Sequence, residues 1–279
     1  MVSISGFGQT GHYRDRTAND RIGLEMGGAN YVTGKAEEPP VHPGYMFGDY
    51  TSGTFGALAI LSAVYHRDHE NCDEPQHIDL SLYESILRFS GPMAAEYSHS
   101  GTIRARRGNV RDWSIPGEQF ETKDGKWVLI LALNPQIFQR LCDAMSMPDL
   151  PHDQRFAERA ARLANEAALH QLIREWVAPQ ESTELYALLD EYRVPYGPVY
   201  SIADIFADPH FKERKDLIVV DDPAVGPIVT PAPYPRLSHA AGRVYNPAPL
   251  IGQHNDEIYR GLLGFEESEI EALRSEGTI

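Results

Sequence analysis

The residue whose type and setting best suit covalent chemistry is Asp49, in the phrase Gly48-Asp49-Tyr50-Thr51-Ser52-Gly53. Glycines on either side let a ligand approach the backbone closely, and an apolar run, Phe55 to Tyr65, begins just after it. A carboxylate at a helix start meets unpaired N–H groups and the positive end of the dipole, an interaction of about 0.3–1 kcal/mol. Those groups keep it ionised in a partly dry site, where it can act as a nucleophile toward a carbonyl. The same placement also suits a plain N-cap, worth about 1 kcal/mol. Local pattern does not separate the two roles.

Three other groupings could carry chemistry. Gly6, Gly8 and Gly11 spell G-x-G-x-x-G after a strand-like run, which binds dinucleotides when an apolar helix follows and aims its N-terminus at the pyrophosphate. Here His12 to Asp20 follows, polar and without period, so an irregular glycine loop is expected. His66, His69 and Cys72 could ligate zinc, but a structural site needs a fourth donor and closely spaced pairs, and none recurs downstream. Arg104, Arg106, Arg107 and Arg111 form a basic cluster that suits either ligand phosphates or acidic patches across a domain junction. Neither G-x-S-x-G, H-E-x-x-H nor a Walker A sequence occurs, which leaves hydrolase, zincin and P-loop chemistry without a foothold.

The elements that must position these residues follow from the patterning. Val2 to Phe7 reads as a strand ending in glycines, and Gln76 to Leu80 alternates as a second. Between them, Phe55 to Tyr65 is apolar around most of its circumference, the mark of a buried helix at the centre of a core. Leu82, Ile86 and Leu87 keep helical spacing, with a kink expected at Gly91-Pro92. Arg104 to Pro116 has no period and reads as a connection. Beyond it, alternating runs flank Asp124-Gly125 as in a hairpin, and Asn134 and Pro135 supply N-cap and N1 of a helix. Apolar stripes at Leu169, Leu172, Ile173 and Trp176, and at Leu185, Leu188, Leu189 and Tyr192, predict two more helices. Ser201 and Asp204 have capping-box spacing. From Leu217 the chain is strand-like, then rich in proline, and ends in a helix over Glu267 to Arg274.

The 279 residues carry 25 basic and 40 acidic side chains, a net charge of −15, which disfavours long-range attraction to nucleic acid or an anionic membrane. Any anionic ligand must therefore be held by local donors. The apolar run Gly53 to Tyr65 is shorter than the roughly 20 residues a membrane span needs. The N-terminus lacks the basic and apolar regions of a secretory leader, and two cysteines make no disulfide framework. A cytoplasmic location is expected.

Taken in order, the phrases SISGFGQTGHYRDR, MGG and TG at 26–28 and 33–34, GDYTSGTFGALAILSAVYHR, QHIDLSLYESILR, the F-x-T-x-D-G hairpin at 120–125, VPYGPVYSIADIFADP and PAPLIGQHNDEI resemble the class III CoA-transferases. This CaiB/BaiF-type family includes formyl-CoA transferase, carnitine CoA-transferase and the divergent α-methylacyl-CoA racemase. The resemblance implies an α/β fold: a Rossmann-like CoA-binding domain, incomplete here, over 1–103 and 217–279, a linker at 104–116, and a small α+β domain at 117–216. Asp49 matches the family's nucleophile. The implied reaction moves CoA between an acyl-CoA and a carboxylic acid acceptor, through an aspartyl-acyl anhydride and then an aspartyl-CoA thioester. The CoA thioester is a substrate, and no permanently bound cofactor or metal is implied.

By the same resemblance, Thr17, Ala18, Asn19 and Asp20 contact CoA and the reacting acyl group, and Gly27, Gly28 and Gly48 line the site. Backbone N–H groups at Gly27-Gly28 or the helix start would serve each oxyanion. The racemase branch has a histidine where this chain has Asn19, and an amide cannot exchange a proton at neutral pH, so transfer is expected. A glycine-rich loop used by oxalate-handling members is not visible between Gly108 and Phe120, and Tyr83 to Asn109 looks more like the carnitine-type branch. Family members carry a long segment before the SxSGFGQ strand that supplies much of the nucleotide pocket, and they form interlocked homodimers. This chain begins almost at that strand, so a fragment, a shortened frame or a partner-supplied segment is expected. Two other readings stay open: an inactive or partner-dependent assembly subunit, and a dinucleotide oxidoreductase using the Gly6 loop.

Overall fold

The computed structural model describes residues 1–70, 74–111 and 114–279, which form two compact units, Met1–Pro198 and Val199–Ile279. The first unit opens with β1 (Val2–Ser5), α1 (Asp20–Met26), α2 (Phe47–Glu70) and β2 (Ile78–Ser81). β1 and β2 pair in parallel, Val2 opposite Ile78 through Ser5 opposite Ser81, so α1 and α2 make the crossover that parallel strands require. The expected α/β architecture is present in this lobe.

β2 runs directly into α3 (Leu82–Leu87) because Ser81 caps it, its Oγ accepting the Glu84 N–H. The expected kink is a full break: Gly91 takes φ +60° and a new helix, α4 (Met93–Ser100), begins two residues later.

The expectation that α2 is buried at the centre of a core is not met. Ser52 and Gly56 are buried on the side that meets β1, β2 and α3; a Cβ at Gly56 would stand 3.3 Å from Leu80 Cδ1. On its other sides Leu58, Leu61 and Tyr65 are 60%, 68% and 64% exposed. A two-stranded sheet with short helices covers only one stripe of a helix that is apolar all round, and among the described residues of this unit the remainder stays exposed.

The buried cluster lies instead in the second lobe of the same unit. Strands β3 (Gly117–Glu121), β4 (Trp127–Leu131) and β5 (Tyr196–Pro198) form an antiparallel sheet in the order β3-β4-β5. Helices α5 (Pro135–Ala144), α6 (Arg159–Ala164), α7 (Glu166–Val177) and α8 (Ser182–Glu191) follow the hairpin. Phe120, Val128, Ile130, Phe138, Leu169 and Leu185 are among its core residues, each 1% exposed or less. Asn134 Oδ1 accepts the Ile137 N–H and Pro135 stands at N1, as the sequence predicts. Cys142 lies in this core, and burial pushes its thiol up to about 12; it is an inert apolar filler at neutral pH.

Members of the basic cluster have partners within the chain. Arg104 pairs with Glu96. Arg106 donates to the carbonyls of Lys35 and Tyr31 at 3.2 and 3.1 Å, and Arg107 pairs with Glu166 at 2.7 Å. Of the two roles open to the cluster, its contacts are those of a junction: it ties the connecting segment to the loop after α1 and to α7.

The second unit contains α9 (Ile202–Ala207), α10 (Pro209–Arg214), an antiparallel hairpin of β6 (Leu217–Asp222) and β7 (Gly226–Pro231), a π-helical turn (Asp256–Leu262) and α11 (Glu267–Ser275). The Ser201/Asp204 capping box forms as expected.

Asp124 fastens the hairpin turn of the second lobe to α8. Its Oδ1 accepts from Thr122 Oγ1 (2.7 Å) and the Ser182 N–H (2.9 Å), and Oδ2 accepts from Ser182 Oγ (2.7 Å). These donors, Ser182 first, lower its pKa to about 2. A depressed carboxylate contributes stability that is present above its unfolded pKa, about 3.9, and lost as pH falls through the folded value. Asp124→Ala should therefore cost about 1 kcal/mol at neutral pH, and the gap between variant and parent in urea melts should close between about pH 4 and pH 2.

Candidate active site

α1 and α2 meet at their N-termini. Asn19 caps α1, its Oδ1 accepting the Ile22 N–H at 3.3 Å. The next residue, Asp20, is 7% exposed and turns its carboxylate to the start of α2, where Oδ1 accepts the N–H of Gly48 at 2.7 Å and of Asp49 at 3.1 Å. Its Oδ2 lies 3.9 Å from His42 Nε2, a buried nitrogen without a hydrogen-bond partner. Gly48 fits closely here: a Cβ would stand 3.1 Å from Asp20 Oδ1 and 3.2 Å from the Asp20 carbonyl oxygen.

Asp49 is the third residue of α2 and its side chain is exposed. The cap of α2 comes from Asp20, so Asp49 does not close its own helix. Among the described residues, no hydrogen bond or ion pair engages the Asp49 carboxylate. The neighbouring turns are held by Thr51, whose Oγ1 donates to the Phe47 carbonyl at 2.6 Å, and by Ser52, whose Oγ donates to Ser85 Oγ at 2.8 Å.

Other residues singled out by the sequence fall into two groups. Thr17 and Asn19 are exposed beside Asp20, and Ala18 packs on Gly6, where a Cβ would come within 2.2 Å of Ala18 Cβ. Gly27 and Gly28 stand at the opposite end of α1. The Gly27 N–H donates to the Gly23 carbonyl at 2.9 Å, and the Gly28 N–H, in a left-handed turn at φ +83°, donates to Glu25 at 3.2 Å. A Cβ at Gly27 would lie 2.6 Å from both Ile86 Cβ and Cγ2, so this glycine lets α1 close on α3. The N–H groups expected to serve an oxyanion, at Gly27, Gly28 and the start of α2, all have acceptors inside the chain. Helix closure and the Asp20 cap claim them.

The Gly6 loop is likewise filled from within. The Gly8 N–H donates to Ser5 Oγ at 3.0 Å, and the Gln9 N–H meets both oxygens of Asp79, on β2, at 3.1 and 2.9 Å. A carboxylate stands where a pyrophosphate would have to bind, and α1 starts only at Asp20, so the dinucleotide context is lacking. His69 stacks on Tyr65 at 3.8 Å, Cys72 lies outside the described residues, and no group of three metal-binding side chains occurs among the described ones. Farther along α2, a groove of about 800 Å³ is lined by Phe55, Leu58, His66, Glu84 and Arg88.

Sequence reasoning missed the placement of His42 and of Asp79 and misassigned that of Asp20. Asp20 was expected to touch ligand, and its cap reaches 28 residues along the chain, a separation at which no local pattern operates.

The fold has counterparts among known proteins. The description "CoA-transferase family III" matches residues 1–255, and the chain belongs to that family. It is 39% identical over 279 residues to succinyl-CoA–D-citramalate CoA-transferase of Chloroflexus aurantiacus, covering 100% of this chain and 69% of that one. It is 37% identical over 276 residues to the alpha subunit of succinyl-CoA–L-malate CoA-transferase of the same organism, covering 99% and 64%. Among solved structures, a CAIB/BAIF family protein from Brucella suis superposes with a TM-score of 0.80 at 32% identity, covering 94% of this chain and 67% of that one. The chain thus spans about two thirds of the length of these relatives.

Because Gly27 is a packing glycine, Gly27→Ala should destabilise the first lobe by about 1–3 kcal/mol through overpacking on Ile86. A denaturant midpoint within error of the parent would show that α1 and α3 have room to separate.

Proposed function

We propose that this chain transfers coenzyme A from an acyl-CoA to a free carboxylic acid, with the Asp49 carboxylate as nucleophile. The observation that carries this reading is the unengaged carboxylate of Asp49 on a turn whose N–H groups are already capped by Asp20. Family membership supplies the reaction class.

The electrons move as follows. A carboxylate oxygen of Asp49 adds to the thioester carbonyl and the C–S bond breaks, giving an aspartyl-acyl anhydride and CoA thiolate. The thiolate then attacks the aspartyl carbonyl of the anhydride, the C–O bond to the donor acyl group breaks, and the donor acid leaves as a carboxylate. The acceptor carboxylate adds to the resulting aspartyl-CoA thioester, and a second thiolate return places CoA on the acceptor and restores Asp49. Each intermediate keeps its acyl activation, so no nucleotide triphosphate is consumed. The protein must exclude water from the anhydride and stabilise each oxyanion. The N–H groups of Gly27, Gly28, Gly48 and Asp49 are engaged, so those donors come from other groups in the closed site. Asn19, whose amide caps α1, does no acid–base work, which supports transfer over racemisation.

Relatives named as succinyl-CoA transferases to citramalate, malate, mesaconate and glutarate make succinyl-CoA the first donor to test and a short dicarboxylic acid the first acceptor. A cytoplasmic homodimer is the assembly we propose; no described helix is long and apolar enough to cross a membrane. The open apolar sides of α2 favour a second reading, in which the chain acts only once another chain covers that helix.

Incubation with succinyl-CoA and hydroxylamine, followed by peptide mass spectrometry, should place an aspartyl hydroxamate at Asp49. Asp49→Ala and Asp49→Asn should abolish the adduct and lower turnover by about 10³-fold or more. An adduct elsewhere, with both variants fully active, would sink the assignment. CoA binding without turnover until a second chain is added would favour the partner-dependent reading.

A further inference from the structure

We infer that Asp20 is a positioning residue, which fixes the first turn of α2, and with it the Asp49 carboxylate, by capping the N–H groups of Gly48 and Asp49; the inference rests on Asp49 being the nucleophile. α2 starts at Phe47, so the residue in the N-cap position is Met46, whose side chain cannot accept a hydrogen bond. Asp49 then sits at N3, from which an acidic side chain reaches back only to the N–H of the N-cap residue, so the N–H groups at N2 and N3 need an acceptor from outside the helix.

Asp20 supplies that acceptor. Its Oδ1 takes the Gly48 and Asp49 N–H groups at 2.7 and 3.1 Å, in a site only 7% exposed. Burying a carboxylate is costly unless hydrogen bonds compensate, and here two N–H bonds and the helix dipole do so. The side chain touches only the backbone of the nucleophile. Since α1 itself begins at Asp20 behind the Asn19 cap, and Gly23 and Gly27 seat α1 tightly on α3, the capping oxygen is held by a fixed element rather than a loop. The first turn of α2, and with it Asp49, inherits that placement.

Two variants and two readouts test this. Asp20→Asn keeps an oxygen acceptor at the same reach, whereas Asp20→Ala vacates the two N–H groups. Hydroxylamine trapping, normalised to folded chain by near-ultraviolet circular dichroism, should show adduct formation at Asp49 slowed about tenfold or more in Asp20→Ala, with KM within about twofold. Asp20→Asn should stay within about threefold of the parent. In hydrogen exchange, peptides spanning residues 47–53 should open faster in Asp20→Ala only. A merely structural role would lower the folded fraction of Asp20→Ala and leave the rate per folded chain unchanged. That result, or unaltered exchange at 47–53, would overturn the inference. Should Asp20→Ala fold too poorly to assay, Asp20→Ser, whose hydroxyl is one atom shorter, replaces it with the same expected outcomes. If the parent forms no adduct at all, the CoA-transfer reading falls, and exchange at 47–53 still decides whether Asp20 holds the turn.

Discussion

A buried carboxylate on two backbone amides decides how this chain presents its chemistry. With Asp20 on the N–H groups of Gly48 and Asp49, α1 and α2 become a single jointed piece, and the charge that would neutralise the helix start does not come from Asp49. The same device recurs where the backbone exposes several donors at once. Asp79 takes the Gln9 N–H at the glycine loop, and Asp124 takes the N–H at the start of α8. A chain with a net charge of −15 thus uses some of its acid internally, and each backbone cluster so filled is closed to an external anion. That constraint separates this molecule from a dinucleotide-binding protein more sharply than the missing helix after Gly11 does.

Stability and function are housed differently. The well-packed core belongs to the antiparallel lobe, where side chains such as Phe120, Phe138 and Leu169 are shut off from solvent. The lobe that carries Asp49 is built from a two-stranded parallel sheet and a long helix whose apolar residues Leu58, Leu61 and Tyr65 are in the open. Parallel strands are ordinarily covered on both faces, and a helix apolar all round is ordinarily enclosed. A nucleophile that forms an anhydride also needs shelter from water. Coverage of α2 would meet the packing demand and the chemical one together, because the exposed residues and Asp49 lie on the same helix.

Much of the fold was legible from the sequence because the relevant forces are local. The hairpin at Asp124-Gly125, the Asn134-Pro135 helix start and the Ser201/Asp204 box each depend on residues within five positions of one another, and each forms as predicted. The burial of α2 was misread for a physical reason: all-round apolarity states that a helix wants cover and says nothing about whether the cover lies in the same chain. Within the site, the GDYTSG phrase drew attention to Asp49 as a reactive type, but its separation from the capping role was invisible. That separation depends on a side chain 28 residues upstream. Gly27 and Gly28 show the converse. Their composition suggested backbone donors for a ligand, whereas the close approach of α3 explains one and the left-handed end of α1 the other.

The arrangement also bears on the catalysis proposed for this site. Within the motif that brings Asp49 forward, the amide of Asn19 is committed to α1 and the carboxylate of Asp20 to α2, so neither is placed to shuttle protons. Nucleophilic exchange between carboxylates and a thiolate needs no such shuttle, since every attacking group enters already ionised and every leaving group departs as an anion. On the proposed mechanism, what it needs is an oxygen nucleophile without partners on a turn that stays in place. A cap supplied from a separate helix fixes that turn, and it does so through backbone contacts alone, without engaging the carboxylate itself.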